Sequence, residues 1–89
     1  MKIIERNNER KREATNDEFK FDNGAWVRIY IGENERGSWE YQSDEEDEET
    51  YSEGGLWFED KWLADYDGCY GLPEEVIMAI KELGYKIDL

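Results

Sequence analysis

The sequence predicts an α+β fold, in which a small, mainly antiparallel sheet of two hairpins carries one C-terminal helix packed on one face. Two observations lead to this fold class. Large apolar or aromatic residues alternate with other side chains over 25–31 and 38–42, as they do in half-buried strands. Apolar residues recur with helical spacing between Pro73 and Gly84. A length of 89 residues allows one domain.

The first predicted hairpin joins 25–31 to 38–42 through a glycine-bounded turn at 32–37. Both strands are rich in β-branched and aromatic residues, which favour the pleated backbone of a sheet. The second predicted hairpin joins the apolar segment 56–58 to 62–66 through a short polar turn. The two hairpins together would supply most of the sheet.

The helix is predicted to begin at Pro73, because proline suits the first helical turn. Glu74 and Glu75 follow it and complement the positive end of the helix dipole. Gly84 is typical of the position just beyond a helix end. The apolar stripe consists of Val76, Ile77, Ile80 and Leu83. Residues 85–89 are compatible with a last short strand.

The N-terminal residues 1–18 are predicted to be a polar arm or loop, with a short strand allowed at 1–4. Residues 5–18 contain one alanine and no larger apolar side chain, so nothing there anchors to a core. A single α+β domain is therefore predicted over 19–89. The arm carries a small basic cluster that glutamates dilute, and we interpret it as solvated: Arg6, Arg10, Lys11 and Arg12.

Charge excludes several functions. The chain has 24 acidic and 11 basic residues and a net charge of −13, which disfavours direct binding to nucleic acid or to an anionic membrane. Histidine, the commonest general base and zinc ligand, is absent. Cys69 is the single cysteine, so no internal disulfide can form and its thiol lacks a histidine base. The chain has no apolar run of about 20 residues for a membrane span, which predicts a cytoplasmic location.

The same composition predicts no catalytic residue, no metal ligand and no cofactor, and we expect a non-enzymatic protein. The segment that begins at Asp65 fails the calcium-loop pattern, because Val76 stands where that loop needs its final glutamate. With 24 carboxylates, the presence of a pair suited to glycosidase chemistry is uninformative.

The acidic residues are concentrated in one stretch. Residues 33–67 carry fourteen acidic side chains against Arg36 and Lys61, a net charge of −12. Two interpretations stay open: a solvated loop that adds solubility, or a binding surface for a basic partner. In a strand, carboxylates at i and i+2 lie about 6.8 Å apart, close to every second phosphate of DNA. The candidate partner-binding residues are Glu33, Glu35, Glu40, Asp44, Glu45, Glu46, Asp47, Glu48, Glu49, Glu53, Glu59, Asp60, Asp65 and Asp67.

In its small size, its strong acidity and its lack of a catalytic set of residues, the chain resembles a class of inhibitors carried by phages and mobile elements. This class includes anti-CRISPR proteins and anti-restriction DNA mimics. The segments EGGLWF at 53–58, DYDG at 65–68 and LPEEV at 72–76 are similar to hypothetical phage-type proteins. The resemblance implies a stoichiometric inhibitor in the host cytoplasm. It also implies that the partner is a basic nucleic-acid-binding protein such as a CRISPR effector, whose nucleic-acid site the inhibitor occupies.

The alternative is a non-inhibitory interaction module, such as an antitoxin or an accessory subunit that binds a basic protein. Both functions need an acidic surface, and the sequence does not separate them. The oligomeric state also stays open, because exposed aromatic residues permit a dimer without requiring one.

Overall fold

A computed structural model describes residues 1–11, 14–68 and 70–88 of the chain. They form one antiparallel sheet in which the spatial order of the strands equals their order in the chain. A C-terminal helix follows, so the predicted α+β class is confirmed. The elements are β1 (Ile3–Lys11), β2 (Ala14–Phe21), β3 (Trp26–Ile31), β4 (Arg36–Gln42), a 3₁₀ turn (Glu48–Thr50), β5 (Tyr51–Glu59), β6 (Trp62–Tyr66) and α1 (Glu74–Glu82).

Both predicted hairpins are present within this larger sheet. In β3–β4, Ile29 lies opposite Trp39, and in β5–β6, Trp57 lies opposite Asp65. The predicted count of two hairpins is too low, because each strand pairs with the next one along the chain. The predicted strand at 85–89 reduces to one parallel bridge between Lys86 and Trp62, and Leu89 lies outside the described residues.

The predicted arm over 5–18 is wrong, because its described residues belong to β1 and β2; the short strand allowed at 1–4 overlaps the start of β1 at Ile3. The physical reason lies in the position of β1 at the edge of the sheet. An edge strand is held by its backbone ladder to one neighbour and needs few apolar side chains. Arg6 lies opposite Phe19, and its guanidinium carbon is 5.3 Å from the centroid of that ring. Arg12, Glu13 and Cys69 lie outside the described residues.

One hydrophobic cluster contains side chains from the sheet and from the helix. Val76, Ala79 and Ile80 of α1 are fully buried, as are Val27 and Ile29 of β3. Tyr41 adds a polar connection to the helix, because its hydroxyl donates to Glu75 Oε2 at 2.9 Å. We call the face that carries this cluster the inward face. The buried hydrophobic residues of the cluster are Phe19, Phe21, Ala25, Val27, Ile29, Ile31, Trp39, Leu56, Phe58, Val76, Ala79 and Ile80.

The up-and-down strand order gives the sheet two different ends. The tight-turn end holds the β3–β4 turn at 32–35 and the β5–β6 turn at 60–61. Glu35, Asp60 and Lys61 there have φ values of 63°, 49° and 72°. Two successive positive φ values are what a two-residue type I′ hairpin turn requires. The acidic-loop end holds the β4–β5 connection at 43–50.

Gly54 lies where two backbone segments approach each other closely. Trp39 Nε1 donates to the carbonyl oxygen of Asp67 at 2.9 Å, and the amide of Asp67 donates to Gly55 O at 3.0 Å. A Cβ atom at position 54 would clash with that same Asp67 carbonyl. At Gly55 a Cβ would instead meet the ring of Trp57 at 2.8 Å, and a side chain can move. The adjacent glycines of the EGGLWF segment therefore have different roles.

We predict that Gly54→Ala lowers the free energy of unfolding by about 2 kcal/mol or more, because backbone has to shift to relieve the clash. Gly55→Ala is the matched control, and we expect it to cost less than about 1 kcal/mol. Urea unfolding followed by tryptophan fluorescence measures both variants. Equal losses at the two positions would contradict this account of the close approach.

Candidate functional site

The structure separates the fourteen predicted acidic residues into groups. Six lie in the acidic loop, residues 44–49, and all six are exposed. Glu40, Glu53 and Asp65 lie on strands, on the face of the sheet away from the hydrophobic cluster, which we call the outward face. Asp67 follows β6. The tight-turn end holds Glu33, Glu35, Glu59 and Asp60.

The predicted single surface is therefore divided along the length of the strands. β5 has nine residues, which at about 3.3 Å per residue separate its two ends by more than 20 Å. The tight-turn carboxylates lie at one end of that strand and the acidic loop lies at the other. One ligand would have to span the length of β5 to bind both groups.

The acidic loop has a defined backbone. Gln42 Nε2 donates to the carbonyl oxygens of Asp44 and Glu45, at 3.3 Å in each case. Thr50 Oγ1 donates to the carbonyl of Asp47 at 2.7 Å, and Asp47 Oδ1 accepts from the amide of Glu49 at 3.0 Å. The run is thus exposed, as predicted, but it contains a 3₁₀ turn. The expected strand spacing of i and i+2 does not apply to it.

Two further carboxylates extend the loop onto the outward face. Glu40 and Glu53 are direct cross-strand partners, one row beyond the pair formed by Gln42 and Tyr51. Rows on one face are about 6.8 Å apart, so this pair borders the loop. We call Glu40, Asp44–Glu49 and Glu53 together the acidic surface.

A tyrosine bridges the two carboxylates on the outward face. Tyr51 Oη lies 2.8 Å from Glu40 Oε1 and 2.7 Å from Glu53 Oε2. Like charges directly opposite each other in a sheet repel. The hydroxyl has one proton and donates to one carboxylate at a time. Arg28 Nη1 adds a second donor, 3.2 Å from Glu40 Oε2.

Most of the acidic surface is not neutralised by the chain itself. Among the described residues, ion pairs within 4 Å reach Glu40 from Arg28 and Glu45 from Lys20. The other six carboxylates have no such partner in that part of the chain. Carboxylates offer hydrogen-bond acceptors only, so the surface is suited to the N–H donors of lysine and arginine.

The structure also shows a buried acidic residue that the sequence prediction missed. Asp17 is 1% exposed and lies on the inward face. Its Oδ1 accepts from Asn8 Nδ2 at 2.7 Å and from Arg6 Nη2 at 3.2 Å. The signal was present in the sequence, since the alternation of Phe19 and Phe21 extends back to position 17. The interpretation of residues 1–18 as an arm places Asp17 outside the predicted sheet, so the sequence prediction does not include it.

The described residues contain no group of three or more acidic or cysteine side chains placed to hold a metal ion. Within the same residues, α1 is too short and too polar to cross a membrane. In comparisons with known proteins, no family model, no curated protein and no solved structure matches the chain.

The position of Tyr51 predicts an alkaline effect on stability. Desolvation is the largest cause that raises the pKa of the Tyr51 hydroxyl above its ordinary value of 10.0, and its hydrogen bonds to Glu53 and Glu40 raise it further. A raised folded-state pKa contributes stability that is fully present below pH 10. That contribution is lost as the pH rises towards the folded-state pKa.

We expect Tyr51→Phe to lower the free energy of unfolding by about 1 kcal/mol at pH 7, because one partly exposed hydrogen bond to a carboxylate is lost. The difference between wild type and variant should shrink as the pH rises above 10. Urea unfolding from pH 7 to pH 11 measures it, and the other tyrosines cancel in the comparison. A difference that stays constant over this range would contradict the predicted linkage.

Proposed function

We propose that this protein is an acidic inhibitor that binds the nucleic-acid-binding surface of a host defence complex, as anti-CRISPR DNA mimics do. One observation carries the proposal: the acidic surface holds eight carboxylates on a fixed backbone, and the described residues neutralise two of them. Lysines and arginines that line a nucleic-acid groove are the complementary chemistry.

The charge density of the acidic loop supports this proposal. Residues 44–49 carry one carboxylate each, and consecutive Cα atoms are about 3.8 Å apart. A DNA strand carries one phosphate per about 3.4 Å of the helix axis. The loop therefore concentrates one charge per residue along its chain, a high charge density of the kind that a basic groove for nucleic acid attracts.

The hydrogen bonds of the loop also favour binding. A flexible acidic tail would lose conformational entropy when it bound a groove. Gln42 and Thr50 already fix the backbone of the loop, which reduces that loss. Tyr51 is 40% exposed beside Glu53 and offers an aromatic face to an arginine.

The proposal narrows the predicted site. It uses Glu40, Asp44–Glu49 and Glu53 and leaves out the tight-turn carboxylates, Asp65 and Asp67. It requires no catalytic residue and no cofactor, because inhibition comes from occupying the groove. The place of action would be the host cytoplasm, where such complexes bind their targets.

The test is a charge variant that keeps the loop intact. Glu46, Glu48 and Glu49 have exposed side chains outside the hydrogen bonds that hold the loop, so we choose Glu46→Gln/Glu48→Gln/Glu49→Gln. The matched control is Glu9→Gln/Glu74→Gln/Glu82→Gln, which changes the net charge equally at exposed positions elsewhere. The assay measures the concentration of this protein that halves DNA binding by each of a panel of purified CRISPR effector complexes.

We expect the wild-type chain to inhibit one of these complexes, with an effect that weakens as salt rises. The loop variant should need about tenfold more protein, since three exposed charges contribute about 1–2 kcal/mol in total. The control should stay within about twofold of wild type. Equal losses in both variants, or equal binding to a complex that already holds its DNA, would overturn the proposal of DNA mimicry.

A further inference from the structure

A second acidic feature lies at the tight-turn end, away from the acidic surface. A cavity of about 600 Å³ opens between the inward face of the sheet, its turns and the end of α1. This volume is within the usual range of small-ligand sites. Four carboxylates and two cations line it: Asp17, Glu33, Glu35, Asp60, Arg6 and Lys61. We propose that this cavity binds a guanidinium group, and this inference does not depend on the proposed function.

Two carboxylate oxygens in the cavity lining lack a donor. Asp17 Oδ2 and Glu35 Oε2 are both shielded from solvent and have no hydrogen-bond partner among the described residues. A buried acceptor without a donor destabilises a protein, so nearly all of them are satisfied in native structures. A ligand with several N–H groups would supply the missing donors once either carboxylate turned its unpartnered oxygen towards the cavity, since neither oxygen is open to solvent in this structure.

The location of Asp17 strengthens this inference. It lies directly opposite Ile29, in a strand whose next inward residues are Phe19 and Phe21. An apolar side chain at such a position is often more stabilising than a buried ion pair. The ion pair to Arg6 uses Oδ1 and leaves Oδ2 free of any described donor. A residue that breaks the local pattern in this way is typical of a binding site.

The character of the cavity wall favours guanidinium over other cations. Arg6 already places a guanidinium on Asp17, with its carbon 5.3 Å from the Phe19 ring centroid. Guanidinium is planar and weakly hydrated, so it tolerates apolar contacts such as Ile31 and Leu83 in this lining. An ammonium is more strongly hydrated. A metal ion would need a set of ligands that the described residues do not bring together.

The helix end adds to the attraction. α1 ends at Glu82, and Leu83, the next residue, lines the cavity. The carbonyl groups of a helix C-terminus carry a partial negative charge. The cavity thus combines an excess of two carboxylates with the negative end of a helix dipole, and both attract a cation.

The experiment titrates the full-length protein with methylguanidinium and follows backbone amide shifts by NMR. N-methylurea is the control ligand, because it is planar and of similar size but uncharged. We expect methylguanidinium to bind with a Kd of roughly 1 mM, as suits so small a ligand. The shifts should concentrate at Gly32, Leu83 and Tyr85, and N-methylurea should produce none there.

Variants then test the two unpartnered carboxylates. Glu35→Gln should weaken binding about tenfold, which is the usual effect of losing a charged hydrogen-bond partner. Asp17→Asn should act in the same direction. If the Asp17→Asn protein does not fold because Arg6 has lost its charged partner, the Glu35→Gln variant alone decides the result. Glu74→Gln, at the exposed start of α1 and outside the cavity lining, is the matched control and should leave the Kd unchanged.

A second titration identifies the source of the guanidinium. Binding of a capped Gly-Arg-Gly peptide with a similar Kd would assign the cavity to an arginine of a protein partner. Binding of methylguanidinium with exclusion of the peptide would assign it to a free small molecule. Either result supports the proposal. It is overturned if methylguanidinium does not bind at 20 mM, if N-methylurea binds equally well, or if Glu35→Gln leaves the Kd unchanged.

Discussion

Alternation of side chains across the sheet is the constraint on which both the acidic surface and the cavity depend. Each strand places successive residues on opposite faces, so burial of Phe19, Val27, Ile29 and Leu56 on the inward face fixes where every neighbouring residue points. A slip of one residue would exchange the two faces and expose the core. The same alternation puts Glu40 and Glu53 on the outward face and Asp17 on the inward face.

The antiparallel order of the strands decides how the charge is distributed. Every connection joins neighbouring strands, so turns accumulate at two ends of the sheet, and ten of the 24 acidic residues lie in the described turns between strands. Separation over the two ends reduces repulsion among 24 carboxylates in one small domain. It also produces two different environments. The acidic loop is exposed to solvent, whereas Asp17 at the other end is almost completely buried.

Strand and helix positions were predicted where one side chain pattern dominated. Ile29 and its neighbours alternate clearly, and the stripe that begins at Val76 has a clear helical period, so β3 and α1 were found with small errors in their bounds. β1 was missed because an edge strand leaves almost no apolar signal. It forms because β2 supplies a backbone ladder for it, and that is a tertiary effect.

The sequence by itself determined the fold class, the inward-facing residues of β3, part of the buried stripe of α1 (Val76 and Ile80, but not Ala79), and the concentration of negative charge in residues 33–67. These properties follow from local composition and period, which need no partner strand. Only the tertiary structure decided which carboxylates are neighbours. The separation of Glu35 from Glu53, the bridge of Tyr51 to Glu40 and the burial of Asp17 depend on register between strands, and register is set by the packing of the whole inward face.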